Sequence, residues 1–144
     1  MRVMIDTNAL IRYWGIKIKN KNYNLKSESK RIITEGLNSG SHILFVCSIS
    51  IIEIWHNLEY DQSSLTSFQT LIKQLYEEDN CRIVELDKEI LMNYIALEDE
   101  NTIKEHDRMI VASAITYDCD TILSSDHEIH KFSQNSQLIS NVIG

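Results

Sequence analysis

A chain of 144 residues with no proline and four glycines has the length of one domain and shows no composition shift at which a second domain or a flexible linker would begin. Its formal charge of -7 argues against gripping nucleic acid over the whole surface, and three widely spaced cysteines, Cys47, Cys81 and Cys119, disfavour a disulfide framework or a zinc ribbon. The expectation is a single domain over residues 1–144 in a reducing, cytoplasmic setting, with no leader and no stretch apolar enough to cross a bilayer.

The first strand-like run, RVMI at residues 2–5, stops abruptly at Asp6. A buried carboxylate is costly unless it is paired or bound to a cation, so its position needs a reason. Residues 8–14 begin a helix, and a basic block follows. Arg12, Lys17, Lys19, Lys21, Lys26, Lys30 and Arg31 stand there against the single acid Glu28. Such a block is either a solvated loop and helix face or a surface that meets phosphates. A second helix is predicted over 27–38, with Ile32, Ile33 and Leu37 on one side.

The second strand is HILFV at 42–46, and two helices follow it, over about 49–59 and 64–77. Glu53 lies in the first of these, in SISIIEIWHNL, on a face dense in Ile and Trp. RIVEL at 82–86 reads as the third strand, 87–99 as the fifth helix and about 106–117 as the sixth. Asp107 opens that last helix, with Ile110, Val111 and Ala114 at i+3, i+4 and i+7. TILS at 121–124 forms the fourth strand and is followed by Asp126, and a weaker strand signal, QLISNVI, lies near the end.

Short apolar strands alternating with helices imply an α/β fold, a three-layer α/β/α sandwich around a central, mostly parallel sheet. Ligands of such sheets collect beyond the C-terminal strand ends, where Asp6 and Asp126 stand; Glu53 and Asp107 are expected to lean toward the core side. Each acid also has a simpler reading. Ser50-Ile51-Ile52-Glu53 matches a capping box, Asp107 suits a helix N-terminus, and Asp6 and Asp126 suit helix caps. Ser125 and Glu128 likewise fit a capping box, which is preferred here to Glu128 as a metal ligand.

Convergence of four carboxylates, by contrast, raises their pKa values unless a counter-charge is present. A hard divalent cation supplies one. An all-oxygen donor set suits Mg²⁺ or Mn²⁺, and the lack of a Cys or His cluster disfavours structural zinc.

VMIDTNALI at 3–11, SIIEIWHNL at 50–58 and HDRMIVASAITYDCDTILSSD at 106–126 together resemble a PIN-domain nuclease of the VapC toxin type, and the resemblance spans essentially the whole chain. It implies a metal-dependent endoribonuclease that hydrolyses RNA phosphodiester bonds, restrained by a small antitoxin that occludes the site, and a homodimer. Asp6, Glu53, Asp107 and Asp126 match the family's acidic quartet, which holds one or two Mg²⁺ or Mn²⁺ ions. Asn8 and Ser124 match its supporting positions. Ser125 departs from the pattern, because relatives often carry a basic or amide residue there.

In this reading the RNA backbone is gripped by the basic segment, with Arg12, Lys17, Lys19, Lys21 and Lys26 as candidates. His106 and His127 are taken as surface or cap residues, and Tyr13, Trp14, Trp55 and Tyr94 as core or dimer-interface residues rather than base-stacking platforms. The rivals are a non-catalytic RNA-binding domain of the same fold and a receiver-like signalling domain. The second needs a pocket lysine, and Lys131, the one lysine after Asp107, lies in a poorly matching place. An aspartyl-nucleophile phosphatase would want an acid where Asn8 stands.

Overall fold

Apolar runs became strands and periodic segments became helices in nearly the places their patterns indicate. The computed structural model describes residues 1–18, 25–59, 61–97, 104–135 and 141–144, apart from the side chains of 133–135, 141 and 142. Lys19 and Lys21, the end of the expected fifth helix and the start of QLISNVI lie outside these residues.

In chain order the elements are β1 (Arg2–Ile5), α1 (Thr7–Trp14), α2 (Ser27–Ser39), β2 (Ile43–Cys47), α3 (Ser48–Asn57) and α4 (Gln62–Glu77). After these come β3 (Cys81–Val84), α5 (Lys88–Ala96), α6 (Glu105–Thr116), β4 (Thr121–Leu123), α7 (His127–Asn135) and β5 (Asn141–Ile143).

Local chemistry sets the boundaries. Gly15 ends α1 in the left-handed region at φ +66°, returning its N–H to the Arg12 and Ile11 carbonyls. Asp61 and Asp87 start α4 and α5 by accepting from the N–H groups of Ser64 (2.7 Å) and Ile90 (2.9 Å). β3 stops at Val84, two residues short of the expected end, because the chain at Glu85 and Leu86 is already exposed and turning into the Asp87 cap.

The strands form one sheet in the order β3-β2-β1-β4-β5, parallel throughout. Alternation of side chains sends β1 to both faces. Val3 and Ile5 join Leu44, Val46 and Leu123 against the helix residues Leu10, Ile33, Ile54 and Leu71, whereas Met4, Phe45 and Ile122 pack against Ile90, Ile110 and Ile129. Helices α1 to α4 therefore cover one face and α5 to α7 the other, which makes the three layers expected. Gly36 lets α2 lie close on the sheet, since a Cβ there would stand 2.9 Å from the Leu44 side chain. Each fully buried aliphatic side chain in these layers contributes about 1.5–3 kcal/mol.

The winding order positions the site. From β1 the chain steps outward through β2 to β3, then crosses to the other side of β1 to form β4. A crevice opens where the progression reverses, beyond the C-terminal ends of β1 and β4, and Ile5 and Leu123 are paired at its floor. No helix among the described residues is long and apolar enough to cross a membrane.

Candidate functional site

Asp6 is the first residue past β1, and its N–H donates to the Leu123 carbonyl at 3.0 Å, which locks it to the end of β4. Its carboxylate both caps a helix and faces the crevice. Oδ1 accepts from the Thr7 N–H at 2.8 Å, and Oδ2 accepts from Ser124 Oγ at 2.6 Å. Ser124 Oγ in turn accepts from the Asp126 N–H at 2.9 Å and from Asn8 Nδ2 at 3.5 Å, while Asn8 Oδ1 accepts from the Ser125 N–H at 3.1 Å. Two strand ends are thereby joined through the side chains of Asp6, Asn8 and Ser124.

Asp126 starts α7, its Oδ1 accepting from the N–H groups of Glu128 (2.8 Å) and Ile129 (3.3 Å). The expected Ser125–Glu128 capping box is therefore corrected: Asp126 supplies the cap, and Ser125 is tied to Asn8. The Ser50–Glu53 capping box does not form either. Helix α3 begins at Ser48, and the fully buried Ser50 accepts from Thr7 Oγ1 at 2.8 Å.

Glu53 instead meets His106, with Oε2 2.7 Å from Nε2. Thr7 Oγ1 lies 3.1 Å from the same nitrogen. With its proton on Nε2, His106 donates toward Glu53, and Thr7, whose own proton goes to Ser50, is a second acceptor. His106 is thus a site residue rather than the surface or cap residue expected. The apolar surroundings expected for Glu53 also need correction, because Ile52 and Trp55 are 56% and 46% exposed. Helix α3 packs through Ser50 and Ile54, and Glu53 reaches the crevice from its flank.

Asp6, Thr7, Asn8, Glu53, Lys104, His106, Asp107 and Asp126 line one cavity of about 160 Å³. Residues from 6 to 126 in the chain meet there. Asp6 is 2% and Asp107 8% exposed. Burial pushes the Asp6 carboxyl up to about 6, opposed by its bonds from Ser124 and Thr7. Asp107 is pushed up to about 7, first by burial and then by the charges of Asp126 and Asp6. The Glu53 hydrogen bond raises His106 above the usual imidazole range.

Within the lining, four carboxyls outnumber the two cationic side chains, Lys104 and His106. Among the described residues, oxygens of Asp107, Asp126 and Glu128 also lie within 4.8 Å of one another. An all-carboxylate donor set whose buried members resist ionisation suits a hard divalent cation.

Three of the basic candidates stand elsewhere. Arg12, Lys17 and Lys26 are exposed and do not line the cavity; Arg12 sits in the last turn of α1, about 9 Å along the helix axis from Asp6 at 1.5 Å per residue. His127 is exposed. Tyr13 and Trp14 pack against the core, Tyr94 lies under the Arg108 guanidinium at 5.5 Å, and Trp55 leans on Phe68 with ring centroids 5.6 Å apart.

Sequence reasoning missed Thr7 and Lys104 and undervalued His106. Proximity in the chain to Asp6, Asp107 and Asp126 was the available signal. It carries no information on where those side chains point.

The PIN domain family matches residues 3–135 of the chain. No curated protein sequence matches it. Among solved structures it is similar to VapBC2 from Rickettsia felis bound to a DNA fragment from their promoter. That match has 15% identity and a TM-score of 0.65, covering 98% of this chain and 97% of the other. FitAcB from Neisseria gonorrhoeae matches at 15% identity and TM-score 0.63, covering 99% and 96%. VapBC-1 from nontypeable Haemophilus influenzae matches at 18% identity and TM-score 0.59, covering 95% and 96%. At these identities the likeness concerns the fold.

Proposed function

The chain belongs to the PIN-domain family, and from that premise we propose that it is a divalent-metal-dependent endoribonuclease, the toxin of a toxin–antitoxin pair. The observation that carries the reading is the meeting of Asp6, Glu53, Asp107 and Asp126 around one cavity at the switch point of the sheet. These four are the residues that would hold Mg²⁺ or Mn²⁺. A cation bound there supplies activation of a water for in-line attack on phosphorus and stabilisation of charge on the phosphoryl oxygens.

The chain's own groups prepare for that chemistry. Ser124 Oγ and the Thr7 N–H hold both oxygens of Asp6, and Asn8 keeps the β4 end in register with α1 through the Ser125 N–H. His106 donates from Nε2 to Glu53, fixing the orientation of that carboxylate. Lys104, exposed at the mouth of the cavity, offers a cation to a phosphate. No side-chain nucleophile is required.

The acidity of the chain makes local attraction necessary for an RNA substrate. Arg12, Lys17, Lys19, Lys21 and Lys26 would supply it along the backbone. A small antitoxin that covers the site and a homodimer complete the reading, and the similarity to VapBC2 and VapBC-1 supports the antitoxin. All of this is assigned to one domain over residues 1–144 acting in the cytoplasm.

The test is incubation of a mixed RNA pool with Mg²⁺ or Mn²⁺, with EDTA, and with Asp6→Asn. Cleavage is expected for the wild type with metal and for neither control. Equal behaviour of wild type and Asp6→Asn would remove the catalytic assignment, and binding without cutting in every metal would leave an RNA-binding domain of the same fold.

A further inference from the structure

Ser124 is fully buried, and each of its polar atoms is engaged. Oγ donates to Asp6 and accepts from the Asp126 N–H, while the backbone N–H donates to the Ile143 carbonyl at 2.7 Å. The paired register of β4 and β5 ends at Leu123 and Ile143, so the Ser124 carbonyl lies beyond the ladder. A buried carbonyl without a donor is costly.

His130 supplies the donor. Its Nε2 stands 2.8 Å from the Ser124 oxygen, and because a carbonyl can only accept, Nε2 carries the proton. The backbone around the pair is fitted to it. A Cβ at Gly144, just past β5, would stand 2.6 Å from both Nε2 and the Ser124 oxygen. Only glycine leaves the pair undisturbed.

Helical spacing gives the contact its leverage. His130 follows Asp126 by one turn, its N–H donating to the Asp126 carbonyl at 3.2 Å, so both side chains lie on the same side of α7. Asp126 is tied to Ser124 Oγ through its N–H, and His130 is tied to the Ser124 carbonyl. Two bonds one turn apart fix the start of α7 against the end of β4. Without the second, α7 pivots about the first and carries the Asp126 carboxylate with it.

We propose that His130 is a positioning residue for the cation site, holding Ser124 and the start of α7 so that Asp6 and Asp126 keep their aim into the cavity. The proposal rests on the reading of the acidic cavity as the seat of a divalent cation. His130 itself does not line that cavity, and in this role it touches neither substrate nor cation.

The experiment is Mn²⁺ binding to the full chain, followed by the electron paramagnetic resonance of free Mn²⁺. His130→Phe keeps a ring and removes the donor, and it is expected to weaken binding about 10-fold, the low end for residues that support a ligand from behind. His130→Gln brings an amide N–H within reach of the same carbonyl and is expected to restore wild-type affinity. Gly144→Ala sets a methyl against both Nε2 and the Ser124 oxygen; it is expected to weaken binding as His130→Phe does, and carries the test if His130→Phe does not fold. Asp87→Ala lowers stability at the start of α5, outside the cavity lining, and is expected to leave affinity unchanged.

Wild-type affinity in His130→Phe, or in Gly144→Ala standing in for it, would overturn the proposal. So would equal weakening in His130→Phe and His130→Gln, or an equal loss in Asp87→Ala, which traces the effect to general instability. Asp107→Asn separates this inference from the reading beneath it. If Asp107→Asn abolishes Mn²⁺ binding while His130→Phe leaves it unchanged, the role of His130 falls and the cation site stands. If the wild type itself binds no Mn²⁺, both fall.

Discussion

Ser124 Oγ is the smallest group on which the site depends, since it donates to Asp6 and accepts from the Asp126 N–H and from Asn8. Ser124→Ala leaves those partners unpaired in a buried place and is expected to lower stability by about 1–3 kcal/mol and Mn²⁺ affinity by about 10–100-fold, read by urea denaturation and by metal titration. Asp6 and Asp107 predict an unusual pH dependence. Their folded pKa values, about 6 and about 7, lie above the ordinary 3.8, so between pH 4 and 7 the native state binds more protons than the unfolded chain. Metal-free stability should therefore fall as pH rises through this window. His106, also raised, adds in the same direction, its contribution being lost as pH rises. Asp6 alone accounts for about 3 kcal/mol. Asp6→Asn is expected to flatten the dependence in EDTA and raise the melting temperature at pH 8, while losing the stabilisation that Mg²⁺ would give the wild type under the proposed function. A melting temperature of Asp6→Asn below that of wild type at pH 8 in EDTA would count against the burial argument. At this scale Asp6 was legible, because a charge ending an apolar run is visible locally. The His106–Glu53 contact was not, because a separation of 53 residues is closed by packing rather than by local pattern.

Helices and strands were legible where apolar periodicity is strong, and their ends where a cap residue is present. Asp87→Ala should cost about 1 kcal/mol through loss of the α5 cap. Gly15→Ala should cost about the same, because φ +66° disfavours any side chain. Both effects are measured by urea denaturation, and both variants should retain Mn²⁺ affinity, since neither residue touches the acidic cavity. Helix α7 was the element least visible in advance. HEIHKFSQN offers Ile129 and Phe132 as its apolar residues, too few for a period to stand out. Its start is also defined by an aspartate that has a second use. Asp6 and Asp126 each cap a helix and face the crevice, so the capping and site readings of these residues describe the same geometry.

For the molecule as a whole, charge distribution and strand order decide the outcome. Under the proposal that the basic segment grips RNA, Lys17→Glu combined with Lys26→Glu should weaken RNA binding and reduce the slope of log affinity against log salt by about 0.7 for each phosphate that is no longer neutralised. Binding assays across a salt series measure this, and an unchanged slope would detach these lysines from the RNA. The amino-acid sequence by itself determined the alternation of strands and helices, hence a parallel sheet covered on both faces, and it placed Asp6 and Asp126 just beyond strand ends. Only the tertiary structure decided which acids meet. The β3-β2-β1-β4-β5 order sets β4 against β1, bringing Ser124 within 2.6 Å of an Asp6 oxygen. The same packing folds α6 and α7 together around Asp107, Asp126 and Glu128. Periodicity reports which face of an element is apolar, whereas the neighbour across that face is selected by the burial of the whole core, a property of the complete chain.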